Sequence, residues 1–537
     1  MTTRRTARLL AAGIAVSFGA SMLIAPSAGA TQRITHRTTI SGTDRSTPRQ
    51  TLAAAKALFT PSSVSERRRQ TAAHGGRDAT MVLRDLAAQR ADLPTAAERA
   101  TASRILARPT DPSDPSDPPF EPKYKAVSPV GSDCNADLCV HWVEDGTADQ
   151  VADDGNVTTV PAQAATTLRT MTAVYAAEVT RLGYHAPLSD GTAEGDGRID
   201  VYLADLGDDG LYGYCATAAA AVAAPRQASG YCVLDNDYKK SQFPDHTPTQ
   251  NLQVTAAHEF FHLVQFGYDY LEDAWFMEGT AAWMEDELYD NVNDNLQYLA
   301  ESPLSDPYVP MDFTGPDWSP YGSWVFWKFL SEWQGAGSAD DPRVVRDTWD
   351  NAVGSTYSTA ALQKTLQARG TTFANAFTTF GTWGRDPGRY FSEGSSYPAA
   401  RLDAQFALTR SRPSTGTLRG QTNHMGQSWI KLIPGSSLTT QRHLRLTVNL
   451  PSTSRGSMAR VVAHKTSGAV TIITFALDGS GNGTRTFGFA RSSVSSLQLD
   501  LINASTRFTC NQGLDYSCEG SPVDDGLDAS FSATAVR

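Results

Sequence analysis

Three ionisable residues fall within five positions of an otherwise apolar run, Ala256-Ala257-His258-Glu259-Phe260-Phe261-His262-Leu263-Val264. On a helix His258 and His262 lie one turn apart on a shared face, and Glu259 is rotated by about 100° along its rim. Burying such groups unpaired costs several kcal/mol, and a metal ion removes most of that penalty. Two imidazoles suit zinc, and the adjacent carboxylate can reach a zinc-activated water as general base. The helix start is signalled upstream, where Thr247-Pro248-Thr249-Gln250 offers an N-cap, a proline at the first helical position and a glutamine three residues past the cap.

A catalytic zinc needs a third protein ligand and an open fourth position. Glu278 is the candidate, carried by a second amphipathic segment, Trp275-Phe276-Met277-Glu278-Gly279-Thr280-Ala281-Ala282-Trp283. The connection Gly267 to Asp273 is long enough to turn that segment back against the first. Asp269 and Asp273 compete as ligands, but both sit in this more polar connection. Glu285 lies two turns beyond Glu278 on the same face, where it either orients a ligand histidine or is a plain surface carboxylate.

The stretches His258–Asp269 (HEFFHLVQFGYD) and Trp275–Asp286 (WFMEGTAAWMED) resemble the gluzincin metallopeptidases. Within these they are most similar to secreted bacterial metalloproteases carrying H-E-F-F-H-x-V-Q-F-G-Y-D and W-F-M-E-G-T-A-x-W-M-E-D. The similarity runs from Arg84 through the β-rich tail. It implies a zincin-like catalytic domain hydrolysing proteins or peptides, with His258, His262 and Glu278 as zinc ligands and Glu259 as base. It also suggests Tyr321, opening the helix after the ligand helix, as an oxyanion donor; an ordinary buried aromatic is the competing reading. The metzincin pattern fails, because Gln265 and Tyr268 occupy its glycine and third-histidine positions. Met277 stands where aminopeptidases carry asparagine and their G-x-M-E-N motif is absent, which favours an endopeptidase.

The rest of the chain sets the context. Residues 1–30 read as a secretory signal, with Arg4, Arg5 and Arg8 before an apolar stretch and Ala28-Gly29-Ala30 as a cleavage site. The paired arginines admit twin-arginine as well as general export. No later apolar run reaches the roughly 18 residues that span a bilayer. A secreted, extracellular protein, expected to be a monomer, follows. Six cysteines form three sequence-near couples, Cys134 with Cys139, Cys215 with Cys232 and Cys510 with Cys518, the pattern of short-loop disulfides in an oxidising compartment. The net charge of −11 argues against nucleic acid or an anionic membrane as partner.

Residues 31–107 contain a polar, poorly ordered stretch to Gln70 and then two short helices, the second opened by a capping box at Thr95 and Glu98. They form either a pro-region or a permanent N-terminal subdomain. A Pro/Asp/Ser-rich linker spans 108–122. Residues 123–405 show strands first and helices second, an α+β domain. Residues 406–537, with Leu444, Leu446, Val448 and Leu450 alternating with polar residues, read as a β-sandwich. Asp190, Asp196 and Asp200 in a glycine-rich loop suggest calcium, although the spacing is not that of an EF-hand and a turn before a strand explains it nearly as well. The remaining histidines have no ligand-like neighbours. A reading from another class is an exported zincin-fold protein without turnover, working in binding or adhesion through its β-sandwich.

Overall fold

The computed structural model describes residues 47–59, 79–111, 124, 130–144, 160–192, 195–207, 210–217, 222–224, 226–315, 320–335 and 340–537. The expected signal segment and most of the Pro/Asp/Ser linker lie outside the described residues.

Among the described residues three helices come first, α1 (Pro48–Leu58), α2 (Ala79–Gln89) and α3 (Ala96–Ile105). The capping box at Thr95 and Glu98 opens α3 as expected. The expectation of little order as far as Gln70 needs correction over residues 47–59, the part of that stretch among the described residues. Thr47 and Gln50 form a capping box with Pro48 at the first turn, and Leu52 and Ala55 are buried on the inner face of α1.

A five-stranded sheet follows. It comprises β1 (Val130–Cys134), β2 (Leu138–Val143), β3 (Ile199–Ala204), β4 (Gly213–Ala216) and β7 (Tyr231–Asp235), in the spatial order β1-β2-β3-β7-β4. Between them β5 (Val222–Ala224) and β6 (Gln227–Ala228) make a separate hairpin. The β2–β3 and β3–β7 pairs are parallel. The crossover from β2 to β3 includes helix α4 (Val160–Tyr175), which ends in a π-helical turn at Ala176–Arg181. Strands covered on both faces read as nearly continuous apolar runs, and every residue of β2 and β3 is buried. Strand β4 runs antiparallel to β7 and ends the sheet.

The helical half packs beneath this sheet. Its members are α5 (Pro248–Asp269), α6 (Ala274–Tyr289), a 3-10 turn (Pro320–Ser323), α7 (Trp324–Gln334), α8 (Arg343–Asn351), α9 (Ser358–Ala368), α10 (Phe373–Arg385) and the short α11 (Pro387–Tyr390). Stacked rings tie them together: Trp275 on Trp327 at 5.5 Å and Phe276 on Trp349 at 4.1 Å between centroids. Strands, then helices, give the α+β architecture that the sequence order implies.

The C-terminal strands are β8 (Ala404–Leu408), β9 (Ser414–Thr422), β10 (Gly426–Pro434), β11 (His443–Asn449), β12 (Ser457–Lys465), β13 (Val470–Thr474), β14 (Asn482–Gly488), β15 (Val494–Asn503), β16 (Phe508–Thr509), β17 (Ser521–Pro522) and β18 (Leu527–Val536). Sheets β13-β12-β15-β10-β8 and β14-β11-β18-β9 enclose a second apolar core. Leu444, Leu446 and Val448 face it from β11, and the intervening residues are exposed. The outer face of the five-stranded sheet is not left to water. Arg460 donates to Thr378 O and Thr382 Oγ1 of α10, and Arg385 donates to Gln498 Oε1. Polar Gln498 and Asp500 of β15 are buried for that reason.

Disulfides join Cys134 to Cys139, Cys215 to Cys232 and Cys510 to Cys518, the three expected couples. Among the described residues no helix is long and apolar enough to cross a membrane.

Candidate metal centre

Helix α5 starts at the cap expected for it. Thr47's counterpart here, Thr247, accepts from Gln250 N, Gln250 closes the reciprocal bond, and Pro248 fills the first turn. The helix is buried along nearly its whole length, so the polar groups of His258, Glu259, His262 and Gln265 must find partners inside the protein. Helix α6 turns back against it. The residue after Glu278 is glycine because the two layers meet there: a Cβ on Gly279 would run into Ser323 Oγ of the 3-10 turn.

The packing brings His258, His262 and Glu278 together, with one ligand atom from each all within 4.8 Å of one another. Glu278 Oε2 lies 3.3 Å from His258 Nε2, and Oε1 lies 3.6 Å from His262 Nε2. All three residues are buried. Each Nδ1 is held from outside the cluster: His258 Nδ1 by Glu285 Oε1 at 2.6 Å, His262 Nδ1 by Gln265 Oε1 at 2.7 Å. Both acceptors hold the proton on Nδ1 and turn Nε2 toward Glu278. Two imidazoles and a carboxylate, buried and convergent, are a donor set that fits a metal ion.

Electrostatics point the same way. Burial opposes charge on His258, but the carboxylates of Glu278 and Glu285 outweigh it and hold its pKa well above the ordinary histidine value. Burial pushes Glu285 up to about 7, against the pull of His258. His258, His262 and Glu278 would hold a metal cation, which would supply the same balancing charge with the imidazole in its neutral form.

Glu285 is thus an orienting partner of His258 rather than a surface carboxylate. Gln265 does more than hold His262. Its Nε2 donates to Met277 O at 2.9 Å and Thr280 Oγ1 at 3.1 Å, which locks α5 to the helix carrying Glu278. Gln265→Ala is expected to weaken metal binding by about 10–100-fold, the usual cost of losing such a partner. Competition against a chromophoric chelator measures it, and unchanged affinity would mean that the helix backbone alone orients His262.

Glu259 points toward the edge strand, where its Oε2 accepts from Thr80 Oγ1 of α2 at 3.0 Å. Tyr321 stacks on the ring of His258 at 5.3 Å between centroids and on Tyr298 at 4.8 Å. The competing acids lie elsewhere: Asp269 pairs with Arg226, and Asp273 accepts from Ser358 Oγ and Cys518 N. The last contact brings the loop closed by Cys510–Cys518 against the start of α6, and Ser517 Oγ accepts from Trp275 Nε1 there.

The calcium expectation is corrected. Arg108 pairs with both Asp190 and Asp200, so a guanidinium stands where a cation would. Asp200 also meets His141 Nε2 at 2.9 Å, and Asp196 is paired with Arg198. A cysteine, a histidine and an aspartate do cluster at Cys139, His141 and Asp200, but the Cys139 sulfur is bound in its disulfide.

Sequence reading passed over three residues around the centre. Gln265 had a signal, since it stands three positions after His262 on the same helix face. Thr80 had none, being 179 positions from Glu259. Glu178, in the π-helical turn, is fully buried; burial raises its carboxyl pKa well above the usual range, with only partial opposition from His258.

No family model matches the chain, and no curated protein matches it. Among solved structures, a family GH115 4-O-methyl-α-glucuronidase with specificity for decorated arabinogalactans aligns at a TM-score of 0.13 and 10% identity, covering 49% of this chain and 40% of that one. A likeness so slight bears on neither fold nor function.

Proposed function

We propose that this chain is a secreted zinc metallopeptidase of the gluzincin type, hydrolysing peptide bonds in proteins or peptides with a zincin-like domain. The observation that carries the reading is the convergence of His258, His262 and Glu278 with Glu259 one residue along the same helix. Three protein donors of this kind leave a fourth position for water, as a catalytic zinc site requires. Zinc held there supplies Lewis-acid polarisation of the scissile carbonyl and acidifies a water. Glu259 receives the proton of the attacking water and passes it to the leaving amine. Tyr321, whose ring stacks on that of His258, is the proposed donor of a hydroxyl to the developing oxyanion. Glu285 and Gln265 keep the histidines in the required tautomer. The three disulfides agree with an exported protein.

The test is metal analysis joined to hydrolysis of an unstructured protein, on the chain before and after limited proteolysis. About one zinc per chain is expected, with hydrolysis lost on chelation and restored by zinc. Absence of zinc, or hydrolysis that survives its removal, overturns the reading.

A further inference from the structure

The net charge of −11 is not evenly spread. Residues 406–537 hold 13 lysines and arginines against 7 aspartates and glutamates, whereas residues 1–405 hold 33 against 50. The sandwich is thus a cationic module on an anionic chain, and within it the charges separate again. Asp515, Glu519, Asp524 and Asp525 fall at the end where His424 meets Asp312 and Cys518 meets Asp273 of the helical half.

The opposite end collects the connections 409–413, 435–442, 466–469 and 489–493, none of which contains an acid. Hydrogen bonds from the backbone fasten them to one another and to the end of β18. Arg410 N donates to Ser437 Oγ at 3.0 Å, Phe489 N to Arg442 O at 2.7 Å, Thr466 N to Ser493 O at 3.2 Å and Ala535 N to Pro413 O at 2.7 Å. On this frame Arg410, Arg412, Arg442 and Arg491 are exposed, and Arg445 follows on the outer face of β11. None of these five guanidinium groups meets a carboxylate among the described residues. Asp386, brought toward Gly468 by Arg389, is paired with that same arginine.

Arginines that the fold leaves without counter-charges raise a positive potential, which a partner of opposite sign relieves. Each guanidinium can take a carboxylate or a sulfate through two parallel hydrogen bonds. Arg410 follows a strand of one sheet and Arg442 precedes a strand of the other. Packed sheets lie about 10 Å apart, so a chain of anions spans these charges and a single small anion does not. Single-stranded nucleic acid is gripped by exposed rings, but the one aromatic residue of these connections, Phe489, is 0% exposed. Bilayer surfaces take exposed large apolar side chains, and Leu438 is buried. What the connections do expose is hydroxyl groups, on Ser436, Thr439, Ser467 and Ser492, which donate to and accept from sugar hydroxyls.

We propose that this end of the sandwich binds an anionic polysaccharide, whose carboxylates or sulfates are held by Arg410, Arg412, Arg442, Arg445 and Arg491. The surface is separate from the metal centre, and the inference stands whether or not the chain is a peptidase.

The test is titration calorimetry of the full chain with polygalacturonate and with dextran sulfate, beside their uncharged counterparts, the methyl ester and dextran. At least one polyanion should bind, the tighter of the two naming the preferred anion, and neither counterpart should. Arg410→Gln combined with Arg442→Gln and Arg491→Gln should weaken binding by about tenfold or more at low salt and flatten its salt dependence. Thermal unfolding should not change, because none of the three guanidinium groups is paired within the fold. Should the triple variant misfold, the three single variants carry the test, each expected to bind more weakly than the parent chain. Failure of both polyanions to bind, equal binding of the uncharged polymers, or binding indifferent to the substitutions overturns the proposal. Tighter binding of single-stranded DNA or of anionic phospholipid vesicles overturns it as well, by naming a different partner.

Discussion

Replacing Glu259 with glutamine should lower kcat/KM by roughly 10²–10⁴-fold, the range ascribed to a general base, while the metal stays bound. The substitution separates two roles of the side chain. Glutamine keeps an oxygen that can accept from Thr80, so the packing of α2 on the edge strand survives. It cannot take a proton. Metal content, measured beside the rate on the same protein, tells loss of the base from loss of the centre. Neither neighbouring carboxylate is placed to substitute: Glu285 is committed to His258 Nδ1, and Glu278 faces both Nε2 atoms. Full activity with full metal would therefore remove Glu259 from the mechanism.

What the sequence made legible is what helices encode locally. The spacing of His258, Glu259 and His262, the cap at Thr247 and the return of Glu278 on a second apolar segment all follow from helix periodicity and capping. The same cap chemistry at Thr47-Pro48-Arg49-Gln50 went unread, because it lies in a run rich in arginine, threonine and serine whose composition argues for disorder. Only burial of Leu52 and Ala55 against distant parts of the chain makes that helix worthwhile. Long-range pairings were out of reach for the same reason. Arg108 converts an apparent cation loop into ion pairs with Asp190 and Asp200. Cys518 reaches Asp273 across 245 positions to brace the ligand helix. No local pattern announces either contact. The sandwich strands mix both cases: β11 and β15 both alternate in sequence, but docking on α10 buries the polar face of β15 as well, and no local pattern announces that burial.

Glu278→Ala should empty the centre of metal while leaving the fold intact. Losing a direct ligand is expected to cost more affinity than the roughly 100-fold at the upper end for an outer partner such as Gln265. The fold is expected to survive because the carboxylate's removal does not strand the histidines. His258 keeps the Glu285 carboxylate and His262 keeps Gln265, each at hydrogen-bond distance. Thermal unfolding then gives a reading independent of catalysis. A metal that binds only the folded chain stabilises it by about 2.7 kcal/mol at 100 times its Kd, so chelation should lower the wild-type melting temperature. The variant should melt at the same temperature with and without chelator. If it instead retained metal and chelator sensitivity, the third donor would have to be sought outside α6. Asp269 and Asp273 could not fill the place without breaking their bonds to Arg226 and to Ser358 and Cys518, which hold the start of the ligand helix. Retention of metal would thus argue against the two-helix centre itself, whereas its loss with an unchanged fold would make α6 the element that turns a pair of helical histidines into a metal site.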